Sequence, residues 1–103
     1  MKTGAELIAA ERLRQIEVEQ WSATHDEDQD NEELAKAAVC YALPPAWRGR
    51  VVSRTTKDFV DLLWPWDDEW WKPSPDDRIR ELAKAGALIA AEIDRLQREA
   101  THD

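Results

Sequence analysis

Apolar residues along this chain recur at helical spacing, and no stretch alternates strictly enough to read as a half-buried strand. In "TGAELIAAERLRQIEVEQW", Leu7, Ile8, Leu13, Ile16 and Trp21 supply an apolar face, which predicts a helix to about Gln20. Thr3 and Glu6 stand in capping-box relation, where each side chain satisfies a backbone N–H at the helix start. "SATHDEDQDN" then loses every apolar anchor and reads as a loop. "DNEELAKAAVCYAL" restores the spacing through Leu34, Ala37, Ala38 and Tyr41; Asp30 with Glu33 would cap this helix, and Pro44-Pro45 would end it.

Residues 46–56, "AWRGRVVSRTT", hold no clear period, although "RVVS" reads as a short extended piece. In "TKDFVDLLW", Phe59, Leu62 and Leu63 predict a short helix closed by Pro65. The last element has the strongest pattern. Ser74 would cap it, Pro75 would take its first position, and Asp76 and Asp77 would complement the positive end of its dipole. Ile79, Leu82, Gly86, Ile89, Ile93 and Leu96 then follow alternating steps of three and four, a coiled-coil-type seam. Gly86 in such a seam costs about 1 kcal/mol of helix propensity, which close approach of another backbone beside Ala83 and Ala90 would offset. Fraying is expected after about Arg98.

The pattern therefore predicts an all-α fold: a compact bundle of three main helices and one short helix within a single helical domain over residues 1–103. Its connecting turn is "WPWDDEWWKP", with four tryptophans in eight positions. A small domain needs such staples, so two or three rings should close the open end of the bundle. Trp70 and Trp71 cannot both turn inward in a tight turn. Trp64 and Trp70 are the expected inward rings, with Trp66 and Trp71 more exposed beside Asp67, Asp68 and Glu69.

Charge narrows the function. Against 14 Lys and Arg stand 22 Asp and Glu, a net charge of −8. That balance repels phosphates, so direct nucleic-acid binding is not expected, and Arg48, Arg50, Arg54 and Lys57 beside Trp47 do not overturn it. A basic protein surface would suit it better. No apolar run reaches the length of a membrane span, and the N-terminal residues turn charged within ten positions, unlike a signal peptide, so a reducing, cytoplasmic setting is expected. Cys40, the only cysteine, sits in "AAVCYAL" and reads as an inert buried thiol.

Catalytic chemistry finds little footing. Asp26, Asp28 and Asp30 alternate as in an EF-hand, but Asn31 stands where that loop needs glycine and Ala37 where it needs glutamate. The weak metal candidates are His25, Asp26, Asp28, Asp30 and Glu33. A histidine–aspartate phosphohydrolase would need more histidines than His25 and His102. Small all-α nucleotide pyrophosphohydrolases of the MazG type hold Mg²⁺ with carboxylates one helical turn apart. Here Glu17 and Glu19, and Glu92 and Asp94, are two apart and share no face. Neither a glycine-rich phosphate loop nor a supported Ser/His/Asp arrangement is present.

The strings "ELIAAERLRQIEVEQW", "THDEDQDNEELAKAAVCYA", "WPWDDEWWKP" and "RIRELAKAGALIAAEIDRL" resemble a group of small bacteriophage and prophage proteins that share a WPWxxxWWKP motif. The resemblance spans most of the chain except about residues 44–60. This chain departs from the group's pattern in the acidic loop, where a further His and a Gly before "EL" are replaced by Gln29 or Asp30 and by Glu32. The resemblance brings no catalytic residues. It implies a phage accessory protein that binds and inhibits or redirects a host protein, with anti-CRISPR and other anti-defence inhibitors as the type.

The expected function is thus non-enzymatic and cofactor-free: a host protein with a basic surface would meet Asp26, Glu27, Asp28, Asp30, Trp66, Asp67, Asp68, Glu69 and Trp71. The alternative is a small MazG-like pyrophosphohydrolase using Mg²⁺. A homodimer through the seam of the last helix, in a virion or regulatory subunit, is a further expectation.

Overall fold

The structure is a computed structural model, and it describes residues 1–18 and 32–101. It is all-α, as the spacing predicts: α1 is Gly4–Glu17, α2 Glu33–Ala42, α3 Phe59–Leu63 and α4 Arg78–Thr101, with single 3₁₀ turns at Pro45–Trp47 and Asp68–Trp70. The expected continuation of α1 to Gln20, the ring of Trp21, the acidic loop, the cap at Asp30 and His102 lie outside the described residues.

Local chemistry sets most boundaries. The capping box is formed at α1: Thr3 N–H donates to Glu6 Oε1 at 3.0 Å, and Glu6 N–H to Thr3 Oγ1 at 3.2 Å. α2 starts without a side-chain cap, from Glu32 in the left-handed region at φ 60°, and ends at Leu43 before the proline pair. Asp58 caps α3 by accepting from the Asp61 N–H at 2.9 Å. The extended piece at "RVVS" amounts to one antiparallel bridge between Val51 and Asp58.

The start of α4 differs from expectation. Ser74 does not cap it and Pro75 does not open it; residues 74–77 form a turn closed by Asp77 N–H to Ser74 O at 2.8 Å. Asp77 is the cap, since its Oδ1 accepts from the Arg80 N–H at 3.1 Å. At its C-terminal end α4 is helical as far as Thr101.

The coiled-coil-type seam of α4 is not what packs against the rest of the chain. It points outward: Ile79, Leu82, Ile89, Ile93 and Leu96 are 47–66 % exposed. The buried face carries Glu81, Lys84, Ala85, Leu88, Ala91, Glu92 and Arg95, which repeat at the same steps of three and four. Against it pack α2, through Leu34, Ala37, Ala38 and Tyr41, and α1. On α1 Glu11 and Gln15 are buried and Leu7 and Ile8 half-buried, while Leu13 and Ile16 are exposed, so only part of the predicted apolar face turns inward. Gly86 is met by the Ile8 side chain rather than by a backbone: a Cβ placed there would lie 2.5 Å from Ile8 Cδ1.

Two features explain the inversion. Alanines at 37, 38, 85, 87 and 91 let α2 and α4 approach closely, leaving little room for branched aliphatics between them. Long charged residues fit at the margins because they pair in place. Glu92 accepts from Arg95 Nε at 2.6 Å, and Arg95 Nη1 reaches Glu99 at 2.9 Å. Glu11 holds Arg14 through two nitrogens at 2.6 and 3.0 Å.

Candidate functional site: a tryptophan-walled acidic groove

The tryptophan segment is anchored by Glu81 on α4, which is fully buried. Glu81 Oε2 accepts from Arg48 Nη1 at 2.8 Å and from the Ser74 N–H at 2.9 Å, and Oε1 accepts from Arg78 Nη1 at 3.2 Å. The two guanidiniums in turn cap the C-terminal carbonyls of α2. Arg48 donates to Cys40 O at 3.3 Å and Tyr41 O at 3.0 Å; Arg78 donates to Tyr41 O at 2.8 Å and closely to Ala42 O. Burial alone would raise the Glu81 pKa, but hydrogen bonds from Arg48, Ser74 and Arg78 outweigh it and hold the carboxyl below its ordinary range. This cluster fixes the rotation of α4: with Glu81 turned toward α2, the residues half a turn away must face out.

On that anchor the aromatic rings stack as one cluster. Tyr41 lies 4.8 Å from Trp71 and 5.8 Å from Trp64, and Trp64 lies 5.0 Å from Trp71 and 5.3 Å from Trp66. Trp64 Nε1 donates to Asp67 O at 3.1 Å, which folds the Pro65–Asp67 corner back over its own ring. The rings at 64, 66 and 71 all pack against the core and are half-buried, whereas Trp70 is 58 % exposed. Trp64 is inward as expected and Trp70 and Trp71 do point apart, but their roles are exchanged, and Trp66, expected to be more exposed, packs half-buried against the core. The 3₁₀ turn Asp68–Trp70 turns Trp70 outward beside Lys72, and Trp71 follows in extended conformation onto Tyr41 and under the Arg48 guanidinium, 5.3 Å away.

Between this cluster and α3 opens a groove of about 460 Å³. Trp64 and Trp71 wall it, Arg48 and Val60 line its floor, and Asp58, Asp61 and Asp68 contribute three carboxylates. Arg48 is paired with Glu81, so the groove lining sets two indole rings beside three aspartates and one guanidinium that is already engaged.

Of the residues picked from sequence, Asp68 and Trp71 belong to this groove; Trp66 lies on the other side of Trp64, and Asp67 and Glu69 are exposed on the adjoining turn. Asp26, Glu27, Asp28, Asp30 and His25 lie outside the described residues, and Glu33 is half-buried in the first turn of α2. Asp58, Asp61 and Trp64 were missed as groove residues. The available signal was the "KDFVD" cap, which places Asp58 and Asp61 one turn apart on α3. Of the basic strip, Arg48 is structural and Arg50 stacks over Trp47 at 4.7 Å, while Arg54 and Lys57 are exposed.

Among the described residues no three His, Cys, Asp or Glu side chains gather closely enough to hold a metal ion. Among them, too, no helix is long and apolar enough to cross a membrane. Cys40 is buried, and burial pushes its thiol up to about 11. Compared with protein-family models, curated proteins and solved structures, the chain matches none.

Proposed function

We propose that this protein is a non-enzymatic binding protein whose tryptophan-walled groove takes an arginine or lysine side chain from the basic surface of a partner protein. The observation that carries the reading is the groove itself: two indole rings and three aspartates around a space of about 460 Å³. An aromatic face within about 6 Å of a guanidinium contributes roughly 0.5–2 kcal/mol, and carboxylates at the rim orient the cation. The net charge of −8 draws such a surface in and repels phosphate-rich ones. The resemblance to phage proteins makes a host protein the partner class, inhibited by occlusion of its basic groove, with a defence complex as the first candidate to test.

Titration calorimetry with arginine-containing, lysine-containing and neutral peptides tests the reading. Basic peptides should bind measurably more tightly than neutral ones, and a variant carrying Asp58→Asn, Asp61→Asn and Asp68→Asn should lose at least tenfold in affinity. Equal affinity for neutral peptides, or a triple variant that binds unchanged, would refute it. The pyrophosphohydrolase alternative has no group of three metal ligands among the described residues to support it, and its other candidates lie in residues 19–31. Metal-dependent turnover across a nucleotide panel would revive it.

A further inference from the structure

Arg48 stands between two sets of carboxylates and pairs with only one. It lines the groove together with Asp58, Asp61 and Asp68. Its hydrogen bonds nevertheless all run the other way. Nη1 donates to Glu81 Oε2 at 2.8 Å, Nη2 to Tyr41 O at 3.0 Å and Nε to Cys40 O at 3.3 Å. Among the described residues no cation pairs with Asp58, Asp61 or Asp68. The groove thus carries in its own lining a cation that its aspartates would attract.

Glu81 decides which way that cation turns. The two carbonyls that Arg48 meets are neutral, and a hydrogen bond with an ionised acceptor is roughly twice as strong as one between neutral groups. The Glu81 carboxylate is fully buried and is itself aimed by Arg78 Nη1 at 3.2 Å and the Ser74 N–H at 2.9 Å. Asp61 and Asp68 are exposed, so solvent weakens any pairing there. The alternative is nonetheless close at hand. Burial raises the Cys40 pKa most, Arg48 lowers it and Asp58 raises it, so both charges act on one sulfur.

Resting on the reading of the groove as a site for a basic side chain, we infer that Glu81 is a positioning residue for that groove: by holding Arg48 it keeps the aspartates open to a cation from outside. Without the Glu81 carboxylate, Arg48 turns to the groove aspartates and competes with the incoming arginine or lysine. A tethered cation competes at an effective concentration on the order of millimolar, with no need to diffuse in.

Calorimetry with an arginine-containing peptide and its neutral counterpart tests this on three full-length chains: unaltered, Glu81→Gln, and Glu81→Gln with Arg48→Met. Circular dichroism of each chain confirms its fold. The unaltered chain should prefer the arginine peptide, and Glu81→Gln should bind it about tenfold more weakly because Arg48 now competes. The double variant should recover the affinity of the unaltered chain, although it lacks the same carboxylate. A merely structural Glu81 gives the opposite result, a double variant no better than the single one. That outcome, or undiminished binding by Glu81→Gln, overturns the inference and leaves the groove reading in place. Equal binding of the two peptides by the unaltered chain overturns both. Should Glu81→Gln unfold, Arg48→Met alone should bind the arginine peptide at least as tightly as the unaltered chain, and weaker binding overturns the inference.

Discussion

The chain has two large apolar surfaces and treats them in opposite ways. The rings of Trp64, Trp66 and Trp71 are tied down within the chain, packed on Tyr41 and held by a charged cluster beneath them. The aliphatic stripe of α4 is left bare, with 47–66 % of each residue exposed. An indole can stay at the surface because its face attracts cations and its N–H finds a carbonyl, as Trp64 does at Asp67. Isoleucine and leucine have only contact area to offer, so they require a surface like themselves. The first surface therefore offers groups that can meet a cation, and the second offers apolar contact area alone.

The sharpest way to break the comparison is at Glu81. Glu81→Ala would leave the largely enclosed Arg48 and the part-exposed Arg78 without their carboxylate, and loss of one partner from a buried pair costs about 3–5 kcal/mol. Urea unfolding should show that loss, while Ile89→Glu and Ile93→Glu on the outer face should change the unfolding of the single chain by no more than about 0.5 kcal/mol. A Glu81→Ala effect no greater than the stripe substitutions would remove the distinction between the two surfaces.

Within the tryptophan segment the next effect separates neighbours. Trp71→Ala should cost about 3 kcal/mol, since its ring contacts Tyr41, Trp64 and Arg48. Trp70→Ala should cost about 0.5 kcal/mol or less, its ring being exposed beside Lys72. The same denaturation assay reads both.

Acid probes the anchor without mutation. The Glu81 carboxyl titrates below its ordinary value in the folded chain, so it binds fewer protons there than when unfolded at mildly acidic pH. Its contribution is complete above the ordinary carboxylate pKa, about 4.3, and is lost as pH falls below that through the lowered folded value. Stability measured from pH 6 to 3 should therefore fall with acid, and the fall should be shallower in Glu81→Gln. The smallest effect is chemical. With its thiol pushed up to about 11 and buried, Cys40 should resist a thiol reagent at pH 8 in the folded chain and react promptly in urea.

What was legible in the sequence follows the same divide. Helix positions came through because caps and breakers act locally: Thr3 with Glu6, Pro44-Pro45, and Pro65 after α3. The rotation of α4 did not. Hydrophobic spacing counts the largest apolar residues as interior, and two seams of equal spacing run along this helix. The choice between them rests on Glu81 meeting Arg48 across 33 residues, a contact with no local sign in the chain. The groove was half legible for a similar reason. Trp71 and Asp68 stand in one conspicuous string, while Asp58 and Asp61 arrive from α3 only once the chain has folded. The exchange of Trp70 and Trp71 depends on a single 3₁₀ turn, which the pattern does not encode.

Salt should weaken capture of a basic peptide by screening the charge of −8. The most direct measurement of the groove reading is a two-dimensional nitrogen–proton spectrum of the indole N–H groups during titration with an arginine-containing peptide. Trp64 and Trp71 should shift together and saturably, with Trp47 and Trp70 unmoved, and 300 mM salt should weaken the response. Shifts confined to the exposed Trp70 and Trp47, or none at peptide excess, would contradict the account.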